Sequence, residues 1–287
     1  MRILAVFTQD KNLIDLYRAK IDLHRDMAAK AFGCKPEEVT KDQRTASKKL
    51  QFGIVYQESP RGLSEDLRAE GIDMSVAQCE DFIAKYFERF PKVEKWVRET
   101  KRFVKRHKYV KTKTGRIRHL PTIDSSDKSI AAEAERQSVN APIQSTGSDC
   151  TLQALIQINK WLKNNGYRSV ICCTVHDSIV LDCPKSEVVE VAKKVKDIME
   201  HLAKYHPFYE FLGDVPLVAE CEIGYNYGES FECEIEDLEE QGVDNFIQGE
   251  LDKKRDKYMK TYHSVIEDNK TIPKYVRLYW EDEQVRS

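Results

Sequence analysis

The reading turns on Arg44-Thr45-Ala46-Ser47-Lys48-Lys49-Leu50-Gln51-Phe52-Gly53-Ile54-Val55-Tyr56. Within it Arg44, Lys48, Phe52 and Tyr56 recur every four residues. A helix turns about 100° per residue, so each step of four advances about 40° and the four side chains share one stripe. Ala46, Leu50 and Ile54 fall on the opposite side, where they can enter a core. Thr40 precedes the run as an N-cap, with Gln43 three residues on, a capping box that predicts a helix over 41–56. The stripe offers two cations and then two aromatic faces. Cations offset phosphate charge and an aromatic face packs on a sugar or base, so the pattern suits a nucleoside triphosphate. The same spacing also suits a solvated basic face with two core aromatics.

Upstream, apolar periodicity predicts a helix over residues 3–33, ended by Gly33, with Asp10 and Asp15 on its solvated side. Downstream, an amphipathic helix starts at Ser75, is interrupted at Pro91 and resumes past Val104; a turn falls at Thr114-Gly115. Residues 128–163 are helical in pattern and carry Arg136, Asn140 and Gln144 at steps of four, with Pro142 expected to break or start a helix between them. Guanidinium and amide groups can donate to minor-groove acceptors without demanding a sequence; a surface polar patch is the other reading. Residues 169–183 read as a hairpin whose turn is His176-Asp177-Ser178. An aspartate there either caps the turn or holds a hard cation such as Mg²⁺. A charged helix over 185–204 and a strand over 215–223 follow. Helices, then a hairpin, a helix and a strand favour an α+β fold.

Lys and Arg number 46 and Asp and Glu 48, for a net charge of −2, but the charges are segregated. Residues 101–118 hold nine Lys/Arg and no acid; residues 220–252 hold twelve acids and no Lys/Arg. The body is therefore basic, which suits a polyanionic partner. No apolar run approaches the ~20 residues of a membrane helix, and no secretory leader is visible, which points to a cytosolic protein. The eight cysteines show no CxxC pair or zinc spacing. Cys172 and Cys173, inside an apolar run, are expected to be reduced core residues.

Together these stretches resemble the family A (Pol I-like) DNA polymerases. Residues 44–56 resemble the family's RxxxKxxxFGxxY helix, motif B. Asp22-Leu23-His24 resembles the aspartate–apolar–histidine before that helix. Thr114-Gly115-Arg116-Ile117-Arg118-His119-Leu120-Pro121 resembles its GRxRxLP stretch, residues 135–144 its ERQxxNxPxQ segment, and Val175-His176-Asp177 its motif C. Arg2-Ile3-Leu4-Ala5 resembles the end of motif A. The resemblance spans about residues 1–228.

The resemblance implies a right-hand polymerase fold: helical fingers and part of an antiparallel-sheet palm, without thumb or exonuclease. Residues 1–21 would end motif A and begin the next helix, 22–120 would be fingers, 121–228 the C-terminal palm, and 229–287 an appended segment with no counterpart. That segment, acidic first and with Tyr279-Trp280 near its end, would dock a partner or trail as a flexible tail. The implied activity is transfer of dNMP to a primer 3′-OH. His24, Arg44 and Lys48 would hold the dNTP triphosphate, Phe52 its sugar, and Tyr56 would sit beside the templating position. Arg116, Arg118 and the basic run would face the DNA backbone, and Arg136, Asn140 and Gln144 the minor groove. His176 would lie at the primer end, and Asp177 would bind two Mg²⁺ ions. Two positions depart from the family pattern: Gln57 stands where Gly is usual, and Ser178 where Glu is usual. The motif A aspartate would fall before Met1, so a partner chain carrying motif A, the thumb and perhaps an exonuclease is expected to share the Mg²⁺ pair. A non-catalytic DNA-binding subunit with the polymerase fold is the alternative.

Overall fold

A computed structural model describes residues 1–269. The chain forms two compact units. One comprises residues 1–182 and 194–219; the other comprises residues 183–193 and the chain from residue 220 onward.

The first unit begins with α1 (Arg2–Thr8), α2 (Lys11–Arg18) and α3 (Leu23–Phe32), where sequence periodicity suggests one helix. Gln9 closes α1 in the left-handed region at φ 49°, and Lys20 follows α2 at φ 54°. Asp10 is not solvated: it is 2% exposed. Its carboxylate accepts from the N–H groups of Leu13 (3.2 Å) and Lys92 (3.0 Å), so one acid caps α2 and the start of a second helix. Asp15 is exposed, as expected. Gly33 ends α3 at φ 67°.

Helix α4 (Lys41–Tyr56) has the predicted bounds and the predicted Thr40–Gln43 capping box. It packs on α3 and on α5 (Pro60–Ala69). A Cβ on Gly53 would meet Leu63 Cδ2 at 2.1 Å, so glycine is what lets α4 and α5 approach there. Then come α6 (Val76–Arg89), capped by Ser75, and α7 (Pro91–His107), which starts at the proline that ends its predecessor. A small hairpin follows, β1 (Tyr109–Lys111) with β2 (Ile117–His119).

Helix α8 (Lys128–Asn164) runs unbroken through Pro142, contrary to the expectation of a break. Pro142 is buried between Val139 and Ile143, and this apolar packing offsets the backbone bond the ring removes. The next hairpin pairs β3 (Val170–Val175) with β4 (Ser178–Asp182) and leans on α8. Its register slips between Ile171 and Cys173, leaving Cys172 at a bulge. Cys172 and Cys173 are exposed, not core residues, because the two strands pair only with each other. Helix α9 (Val188–Glu200) breaks at His201 before the short α10 (Leu202–Tyr205), where one helix was expected. Leu4, Leu50, Phe82, Tyr86, Ile158 and Leu202 are fully buried in this unit.

In the second unit the strand starts later than expected: β5 is Cys221–Asn226, pairing with β6 (Glu229–Cys233). Helices α11 (Ile235–Gln241) and α12 (Val243–Asn269) follow. Cys233, Leu238, Phe246 and Ile247 form a core of their own, so the acidic stretch is folded and not a tail. Tyr279-Trp280 lies outside the described residues.

Candidate active site

The side chains of the motif B stripe gather between α4 and the start of α3. Asp22 is the N-cap of α3, accepting from the N–H groups of His24 (2.9 Å) and Arg25 (3.1 Å). Its other oxygen accepts from Arg44 Nε at 2.6 Å. Burial works against the charge on Asp22, but the Arg44 guanidinium and the two N–H groups outweigh it and hold the carboxyl below its usual range. Since Asp22 uses only Nε, the two terminal guanidinium nitrogens of Arg44 have no partner among the described residues. Behind this face Ser47 and Gln51 are fully buried, and Gln51 Nε2 donates to Ser47 Oγ at 2.9 Å. Arg25 ties the loop before α4 to α3 by donating to the carbonyls of Pro36 (3.1 Å) and Val39 (3.2 Å).

His24, Phe52 and Tyr56 follow one another as rings. His24 and Phe52 are 6.0 Å apart between centroids; Phe52 and Tyr56 are stacked at 6.2 Å. Burial pushes the His24 imidazole down to about 4, with Arg44 and Lys48 adding to the shift and Asp22 opposing it. His24 is therefore neutral near pH 7, a hydrogen-bonding group beside the cations Arg44 and Lys48. Its Nδ1 is buried without a hydrogen-bond partner among the described residues. Lys48 is exposed. Gln57 ends α4 in the left-handed region at φ 58°, the conformation that makes glycine usual there. Its amide donates to the Ile54 carbonyl at 2.7 Å.

The β3–β4 hairpin presents His176 and Asp177 as its exposed tip. His176 sits at φ 56°, a strained region for a non-glycine residue. Ser178 Oγ donates to the Val175 carbonyl at 2.8 Å, closing the turn with a hydroxyl.

On α8, Arg136, Asn140 and Gln144 line one side as the four-residue step requires. Arg136 is held by Glu133 through an ion pair and a 2.9 Å bond from Nε. Asn140 Oδ1 is buried and unpartnered among the described residues; Gln144 is exposed. Arg116 is paired with Asp149 of α8, which also accepts from Thr114. Arg118 donates to Gln137 Oε1 at 3.0 Å. These two arginines face α8, as do Lys101 and Lys105 through Glu135. Asp22, the aspartate of the Asp22-Leu23-His24 stretch, holds Arg44; Asp149, which holds Arg116, is a positioning residue that the sequence reading did not single out.

Asp177 fits one oxygen ligand of Mg²⁺, but the residues present do not fit a pair of ions. Among the described residues no group of three or more His, Cys, Asp and Glu side chains could hold a metal ion. A second charge stands near Asp177: the Met1 α-amine. Burial and Arg2 push that amine down to about 6, while the Asp177 carboxylate draws it back up. The start of α1 therefore lies within electrostatic reach of Asp177.

Residues 1–229 match the sequence model of DNA polymerase family A. The chain belongs to that family. It is 63% identical over 282 residues to the DNA polymerase of Bacillus phage SP01, covering 98% of this chain and 30% of that protein. It is 38% identical over 221 residues to DNA polymerase I of Streptococcus pneumoniae (77% of this chain, 24% of that protein). It is 33% identical over 231 residues to the thermostable DNA polymerase I of Thermus aquaticus (80% and 26%). Among solved structures it resembles the POL domain of Pol1 from M. smegmatis in complex with DNA primer-template and dNTP. That match has TM-score 0.67 and 31% identity, over 75% of this chain and 36% of the other. The chain thus spans less than a third of the length of these curated relatives. The phage match also extends past residue 229, so the C-terminal segment has a counterpart there, contrary to expectation. Among the described residues no helix is long and apolar enough to cross a membrane.

Proposed function

We propose that this chain supplies the nucleotide-binding face and one metal-binding carboxylate of a template-directed DNA polymerase. The reaction is attack of a primer 3′-OH on the α-phosphate of a dNTP, with pyrophosphate leaving. The observation that carries this reading is the Asp22–Arg44 clamp beside His24, Phe52 and Tyr56. Asp22 fixes Arg44 with its terminal nitrogens free for phosphate oxygens, and Lys48 adds a mobile cation. Neutral His24 offers a ring N–H to the triphosphate. Phe52 packs on the sugar, and Tyr56 sits beside the templating position. Arg136, Asn140 and Gln144 face the minor groove, Arg116 and Arg118 the DNA backbone, and His176 the primer end. The boundaries suggested by sequence, with fingers over 22–120 and palm over 121–228, belong to this reading.

Asp177 is the carboxylate for Mg²⁺. Two ions about 3.5–4 Å apart among several phosphates need acids on both sides. We place the second acid on a partner polypeptide that also carries the thumb and perhaps an exonuclease. It would enter beside the first turn of α1, which Asp177 already reaches electrostatically. Such a partner would cover the open β3–β4 hairpin, where Val170 is 54% and Val175 38% exposed. An obligate interface of that kind exceeds about 2,000 Å². A cytoplasmic setting in a bacterial or phage-infected host fits this reading.

Primer extension tests it. The purified chain alone should fail to extend a primed template with dNTPs, and the partner should restore extension while slowing alkylation of Cys172 and Cys173. Extension at a normal rate by the chain alone would end the partner reading. A second reading, a DNA-binding subunit without catalysis, is favoured by the lone exposed Asp177; it wins if the assembled complex extends equally well with Asp177→Asn.

A further inference from the structure

Four rings, with Phe103, His107 and His119 exposed and Tyr109 half-buried, form a continuous ladder on the first unit, away from the α4 stripe in sequence. Phe103, 40% exposed, stacks on His107 with centroids 4.3 Å apart and planes at 28°. Tyr109 meets Phe103 edge-on at 5.4 Å and lies 6.1 Å from His107. His119, the register partner of Tyr109 across β1–β2, closes the row at 6.3 Å. Strand alternation puts Tyr109 and Lys111 on one face of the hairpin and Val110, 3% exposed, on the other.

The basic run sorts itself around this ladder. Lys101 and Lys105 pair with Glu135, Lys108 with Asp124, and Arg116 with Asp149. Arg102, Arg106 and Lys111 are exposed and have no acidic partner among the described residues. Arg102 and Arg106 each directly precede a ring of the ladder on α7, and Lys111 follows Tyr109 by two in β1. Unpaired cations beside exposed ring faces match what an unstacked nucleic-acid strand needs: cations track the phosphates and rings stack on the bases. A duplex keeps its bases inside and would leave the ring faces unused.

We propose that Phe103, His107, Tyr109 and His119, flanked by Arg102, Arg106 and Lys111, form a stacking platform for single-stranded DNA. Its occupant is the unpaired template strand ahead of synthesis. The assignment of template strand rests on the polymerase reading above; the single-strand chemistry does not.

The test measures fluorescence anisotropy of the full chain with labelled oligo(dT) of about 16 nucleotides and with a blunt duplex of similar length. Phe103 and His107 are both exposed, so Phe103→Ala with His107→Ala leaves the core intact, which circular dichroism checks. The double variant should bind oligo(dT) about tenfold more weakly, with duplex affinity unchanged. Phe103→Trp should retain binding, and its added indole emission should be quenched by oligo(dT). Four results overturn the platform: no oligo(dT) binding by the wild type, undiminished binding by the double variant, equal loss on both DNAs, or no quenching of the added emission in the Phe103→Trp variant. The second is also what a face built for a protein partner would give. No dNTP, primer or partner enters this measurement. Failed extension with ring-dependent oligo(dT) binding therefore rejects only the polymerase reading, and the reverse pattern rejects only the platform.

Discussion

The α4 stripe and the β3–β4 hairpin are built on opposite plans. The stripe is backed by a finished core: Ala46, Ser47, Leu50 and Gln51 are fully buried, and Asp22 braces Arg44 from the neighbouring helix. The hairpin has no such backing. Val170 and Val175 are exposed, both cysteines of its first strand face solvent, and Asp177 is the one carboxylate at its tip. A cationic stripe braced by an acid from the neighbouring helix is complete within one stretch of chain. On the function proposed above, one aspartate would not complete a two-cation site, and the hairpin's exposed valines are the surface a partner would cover.

The sharpest way to break this contrast is at the tip. Asp177→Asn should lower extension by the assembled polymerase about a thousandfold while leaving the melting temperature unchanged, because the side chain is exposed. Steady-state extension and calorimetry read the two quantities. On the stripe, Lys48→Ala should act on the nucleotide. A lost charge-assisted contact of about 1.5–3 kcal/mol lowers kcat/KM for dNTP roughly 10- to 150-fold and leaves primer–template affinity alone. Asp22→Asn is subtler. The amide still caps α3 but no longer charges the clamp, so dNTP KM should rise about fivefold, the worth of a half-exposed ion pair near 1 kcal/mol.

The smallest effect is on stability against pH. The folded-state value of His24 lies below the ~6.5 of an unfolded histidine. The stability it contributes is complete above about pH 6.5 and drains away as pH falls toward about 4. Thermal melts of the wild type and of His24→Gln at neutral and mildly acid pH should diverge at the acid end, where the variant loses less.

The α4 region was legible because each of its signals is local. A capping box, a four-residue period and a terminating residue set the bounds of 41–56 without help from elsewhere. What escaped depends on distant partners. Asp10 reads as a surface acid until the N–H of Lys92, far along the chain, is brought to it. Pro142 reads as a helix breaker until the packing around it is known. Cys172 and Cys173 read as core because strand periodicity cannot say whether a sheet will be covered. The neutral state of His24 escaped because burial is invisible in a motif. The fold of the acidic segment, read as either a docking segment or a tail, escaped because twelve acids obscure the few apolar positions that make its core.

The pairing of half the basic run with acids on and around α8 has a thermodynamic corollary. Cations already neutralised within the protein hold few mobile anions and displace little of the ion atmosphere of DNA. Lys113 and Arg118 also lack an acidic partner among the described residues but turn toward Phe7 and Gln137, so counterion release at the ring ladder should count Arg102, Arg106 and Lys111, not the nine cations of the run. The slope of log affinity against log salt for a single strand would be near −2, about 0.7 per phosphate contact, far shallower than the composition of the run suggests.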